Sequence, residues 1–78
     1  MPKFEQDCSG FTLKVKDMDH PPPRCHVSGS GFRDEEIDLY DLRRLGGGDR
    51  AVRSAELRDC LRRHQDAMLK AWDDVEER

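Results

Sequence analysis

Asp19-His20-Pro21-Pro22-Pro23-Arg24-Cys25-His26-Val27 is the stretch on which the reading of this 78-residue chain turns. It carries three of the four prolines and two of the three histidines. Three consecutive prolines fix three φ angles and remove three backbone donors. Such a run belongs neither inside a helix nor in the middle of a sheet, and it predicts an extended, polyproline-like connector. Cys25 to Ser28 then reads as a short, half-buried strand.

Upstream, Phe11, Leu13 and Val15 alternate with Thr12, Lys14 and Lys16, the period of a strand with one wet face. Residues 1–9 show no clear period and predict either a flexible arm or an edge strand. Downstream, Gly29-Ser30-Gly31 supplies a turn whose glycines accept positive φ. Glu35 to Tyr40 alternates again, with Ile37 and Leu39 on one face, so the two segments read as a hairpin. Leu42 and Leu45 bracket Arg43-Arg44 as a further edge segment, and Gly46 to Asp49 is a flexible break before the last third of the chain.

That last third predicts a helix from about Ser54 to Val75. Ser54 is placed as its N-cap, with Glu56 in the first turn where the macrodipole favours an anion. Leu57, Cys60, Leu61, His64, Ala67, Met68, Ala71, Trp72 and Val75 recur at steps of three and four, one stripe of a helix. Asp59–Arg63 and Asp66–Lys70 are i,i+4 pairs in the favourable order. The expected fold is α+β: one domain over residues 1–78, a small antiparallel sheet of about three strands with a long C-terminal amphipathic helix on one face.

Composition bounds the function. Only 35% of the residues are apolar and 40% are charged, so the core is small and partner binding would add stability. Net charge is -3, without the strong basic bias of a nucleic-acid binder. Seven arginines nevertheless fall within residues 43–63, between two acidic segments. Cys8, Cys25 and Cys60 are odd in number and widely spaced, which predicts reduced thiols rather than a disulfide scaffold. No signal-peptide core or membrane span is readable, and the expected compartment is the cytoplasm.

The stretch from Gly10-Phe11 through Val27 resembles a small bacterial family catalogued as domain of unknown function 4160. The family signature is an acidic residue followed by His-x-Pro-Pro-His-x-His, and Asp19, His20, Pro22, Pro23 and His26 match it. Arg24 stands where the family has its middle histidine, and Cys25 where it has an aromatic residue. A second likeness runs from His64 to Trp72, where the family ends in His or Asn, polar residues, a Leu pair and Trp. The resemblance implies a cytoplasmic protein encoded beside a second small protein, in a toxin–antitoxin-like arrangement, and it brings no established reaction.

These residues suit several chemistries. His20, Cys25 and His26 are metal-ligand types, but neighbours on a strand point to opposite faces, so no metal and no cofactor is expected. Metal-independent RNA cleavage would use His20, His26, Arg24 and Tyr40 as acid, base and phosphate groups. Weaker nucleic-acid contacts would come from Arg43, Arg44, Arg50 and Arg53. The leading expectation is a protein-binding module. Its partner would be an adjacent gene product or a second copy, met through a sheet edge near Pro21–Val27, with His20, Pro22, Pro23, Arg24 and His26 in contact.

Overall fold

The computed structural model describes residues 4–8, 10–16, 20–29, 34–48 and 53–76. The alternating segment becomes strand β2 (Phe11–Val15), and the segment after the prolines becomes β3 (Arg24–Gly29). Strands β1 (Phe4–Cys8), β4 (Glu35–Asp38) and β5 (Arg44–Gly47) complete a five-stranded antiparallel sheet in the order β1-β2-β3-β4-β5. Helix α1 (Ala55–Glu76) follows.

Five strands replace the expected three because both extra strands are edges, where the alternating signal is weakest. In β1, Phe4 and Cys8 are half-buried but Gln6, on the same face, is exposed, so the strand shows no period. In β5 a register shift opposite Glu36 and Ile37 leaves Leu45 without a direct partner, and a bulge of this kind breaks a two-residue pattern. Gly46 and Gly47, expected in a flexible break, are therefore part of β5. The β3–β4 hairpin pairs as expected, with Cys25 opposite Ile37 and Val27 opposite Glu35. Residues 30–33, which hold most of its turn, lie outside the described residues.

The expected site of partner addition is corrected by this order. β3 lies in the middle of the sheet, paired with β2 on one side and β4 on the other. It offers no open backbone edge; those edges belong to β1 and β5.

The helix begins where its cap predicts. Leu57 N–H donates to Ser54 Oγ at 3.2 Å, filling one of the donors that a helix start leaves without an intrahelical partner. Its apolar stripe covers one face of the sheet. Leu57, Cys60, Leu61, Met68, Ala71 and Trp72 pack on Leu13, Val15, Cys25, Val27, Ile37 and Leu39. Ala67, expected in the stripe, is exposed, and Leu69, expected outside it, is half-buried against the core. Gln65 Nε2 fastens the helix to the end of β4 by donating to Leu39 O at 2.7 Å and to Tyr40 O at 3.1 Å.

A covalent link adds to this packing. Cys8 on β1 and Cys60 on α1 form a disulfide across a sequence separation of 52, which corrects the expectation of three reduced thiols. The pairing depends on β1 lying against the helix, a contact that spacing along the chain does not show. Closing a loop of this length removes about 4 kcal/mol of unfolded-chain entropy in the chain-entropy account.

Candidate functional site

Strand alternation sends every second residue away from the helix. Glu5 and Asp7 of β1, Thr12 and Lys14 of β2, Arg24, His26 and Ser28 of β3, and Glu36 and Asp38 of β4 therefore share the opposite face. Among the described residues no helix packs on it, but the proline loop turns over its Arg24 end, and the Arg24 and His26 side chains are only 16% and 15% exposed. At its centre His26 sits directly between Lys14 on β2 and Glu36 on β4. His26 Nε2 is 3.8 Å from Glu36 Oε1, beyond hydrogen-bond reach and attractive when the imidazole is protonated. Thr12 Oγ1 donates to Asp7 Oδ1 at 2.8 Å towards the β1 edge.

Arg24 is the most heavily engaged side chain on this face. Its Nη1 donates to Glu36 Oε1 at 3.0 Å. Its Nε and Nη2 turn back to the proline loop, donating to His20 O at 3.1 Å, Pro22 O at 3.4 Å and Pro21 O at 3.2 Å. The cause lies in the sequence: a proline run brings carbonyls and no N–H groups, and a guanidinium offers five donors in a fixed fork. Pro21 and Pro22 lie in a bend whose carbonyls turn onto Arg24, so the run is folded rather than extended as expected. Arg24 is thus a positioning residue, already occupied by Glu36 and three carbonyls.

The other expected site residues are dispersed. His20 and Pro22 are exposed on the loop, while Pro23 is buried and its carbonyl accepts from Leu39 N–H at 2.9 Å. Tyr40 is 66% exposed beyond the end of β4, its N–H held by Asp38 Oδ1 at 2.7 Å. Arg43 and Arg44 line a shallow surface pocket with Asp41, Leu42 and Arg58. Arg53 is exposed, and Arg50 lies outside the described residues.

Cys25 and His26 point to opposite faces, as strand geometry requires. Cys25 is fully buried in the core. Burial pushes its thiol up to about 12, with a smaller opposing effect from a backbone hydrogen bond at Lys14. It is a packing group and not a nucleophile at neutral pH.

Lys14 and Glu36, which flank His26 at the centre of the face, escaped the sequence reading as site residues. Each is an ordinary polar position of an alternating strand, and only the cross-strand register brings them beside His26. No helix is long and apolar enough to cross a membrane among the described residues. No family model, curated protein or solved structure matches the chain.

Proposed function

We propose that this chain is a protein-binding module whose docking surface is the sheet face opposite the helix. His26, Glu36 and Lys14 form its centre, and His20 and Pro22 form its rim. One observation carries the reading: the helix covers a single face of the sheet, and the motif histidine of β3 stands in the middle of the other, between charges of opposite sign. Mixed charge at a contact surface selects a partner and fixes its register more than it adds raw affinity. Apolar support is small, which suits a module stabilised by its partner. The resemblance to the uncharacterised bacterial family adds the identity class of that partner, the product of an adjacent gene in a cytoplasmic, toxin–antitoxin-like pair.

The test is calorimetric titration of the purified chain with the neighbouring gene product. The wild type is expected to bind. His26→Ala and Glu36→Ala are expected to weaken it about tenfold each, about 1.4 kcal/mol. Sedimentation showing self-association that the same substitutions weaken would make a second copy the partner. Absence of both overturns the proposal.

A second reading, handling of RNA phosphates, is favoured by one feature: Arg43, Arg44 and Arg58 converge on the pocket next to Tyr40 in the chain. Cleavage of a mixed RNA by the wild type without added metal, lost when His20 and His26 are both replaced by Ala, would put this reading first.

A further inference from the structure

The disulfide has a third neighbour that a simple staple does not need. His64 lies one helical turn beyond Cys60, on the same face of α1. The ligand atoms of Cys8, Cys60 and His64 all lie within 4.8 Å of one another. Cys60 is buried, while Cys8 and His64 are half-buried at the rim between β1 and the helix. The His64 ring is held beside Phe4, with ring centroids 6.0 Å apart at 54°.

We propose that Cys8, Cys60 and His64 form a redox-gated zinc site. In the oxidised chain the two sulfurs are joined. In the reduced chain the two thiolates and the imidazole bind one divalent zinc ion, and solvent takes the fourth position. The chemistry of the set points to this metal, because two thiolates and an imidazole are the borderline-soft donors that zinc takes up. A cysteine and a histidine four residues apart on one helix present both ligands to the same ion, as helix-borne ligand pairs do. Zinc bonds of about 2.3 Å to sulfur and about 2.0 Å to nitrogen put tetrahedral ligand atoms under about 4 Å apart. The observed cluster reaches that geometry by a short adjustment once the sulfur–sulfur bond opens.

Charge also closes. Two thiolates balance the two positive charges of the ion, so the complex is neutral with a neutral imidazole. The guanidinium of Arg63, with Nη2 at 3.9 Å from Cys8 Sγ and Nε at 3.3 Å from Asp59 Oδ2, then donates to a sulfur that holds the metal. Three protein ligands with an open position are the pattern of zinc sites that admit a further ligand.

The gating step balances with a thiol reductant. Two external thiols deliver two electrons and two protons to the Cys8–Cys60 bond, giving two cysteine thiols and one external disulfide. Zinc binding then releases the two thiol protons to solvent. The edge strand β1 is thereby tied to α1 in both redox states, by a covalent bond in one and by the metal in the other.

The experiment uses the whole chain, reduced with a small dithiol that is then removed by desalting under argon, and titrated with cobalt(II) and afterwards zinc. One cobalt per chain is expected, with thiolate-to-cobalt charge transfer and tetrahedral ligand-field absorption, both erased by zinc. Cys8→Ser and Cys60→Ser should each lose the full charge-transfer intensity. His64→Ala should weaken metal binding about tenfold or more, no less than loss of an outer-shell group does, and His64→Gln should not restore it. The oxidised chain should bind none. Should reduction alone unfold the chain, zinc is expected to restore the helical circular dichroism, since site formation and folding are linked. A reduced chain that shows no charge transfer, that unfolds on reduction and is not refolded by zinc, or whose affinity is unchanged in His64→Ala overturns the proposal.

Discussion

Arg24 and Glu36 pair diagonally across the β3–β4 ladder. The register sets Arg24 opposite Asp38 and His26 opposite Glu36, yet the Arg24 guanidinium reaches Glu36 Oε1 at 3.0 Å. Diagonal neighbours in an antiparallel pair lie within range of long side chains, and the diagonal leaves Asp38 Oδ1 to accept from Tyr40 N–H. One arginine thus ties the proline loop, β3 and β4 together.

This arrangement predicts a stability role for Arg24. Its side chain is 16% exposed and that of Glu36 is 33% exposed, so the pair is only partly screened by solvent. Arg24→Ala should lower unfolding free energy by about 2 kcal/mol, in the range of hydrogen bonds to charged groups, measured by urea denaturation. Arg24→Lys should recover little, because a single ammonium cannot fork to a carboxylate and several carbonyls. An unchanged midpoint in Arg24→Ala would remove the loop-fastening role.

Cys25 predicts a pH dependence. Its thiol is raised from the ordinary 9.0 to about 12 by burial, so the folded chain holds this proton more tightly than the unfolded chain. The resulting stability is complete below about pH 9 and is lost progressively as pH rises to about 12. The whole difference amounts to about 4 kcal/mol. Plotted against pH above 9, the unfolding free energy of Cys25→Ala should fall less steeply than that of the wild type; parallel slopes would contradict the assignment.

Two glycines predict unequal costs. Gly10 and Gly47 both take positive φ, +83° and +82°, where a side chain costs about 1–2 kcal/mol. A Cβ at Gly10 meets nothing within 4 Å, whereas one at Gly47 overlaps the backbone carbonyl of Asp34. Gly47→Ala should therefore destabilise by at least about 1 kcal/mol more than Gly10→Ala, read from paired thermal or urea melts. Equal losses would show that β5 yields freely.

Trp72 predicts the strongest loss in the helix. It is 3% exposed within the core, and Trp72→Ala should cost about 3–5 kcal/mol, a large part of the stability of so small a domain. Loss of cooperative unfolding in this variant is the expected result, and a wild-type melting curve would refute the core assignment.

The sequence by itself determined the helix and the strand at Phe11–Val15, because amphipathic periodicity is a local signal carried by consecutive residues. Ser54 as the cap, the buried Leu57, Cys60, Leu61, Met68, Ala71 and Trp72 of the stripe, and the opposite orientations of Cys25 and His26 all follow from it. Tertiary structure alone decided the rest. Phe4–Cys8 and Arg44–Gly47 become strands because neighbouring strands supply their hydrogen bonds, not because their own side chains alternate. Arg24 becomes a loop fastener because the prolines fold their carbonyls onto it. Lys14 meets His26, and Cys8 meets Cys60 and His64, through pairings between residues far apart in the chain. Such contacts depend on the register of strands and the placement of the helix across the sheet, and no local pattern of residue types encodes either.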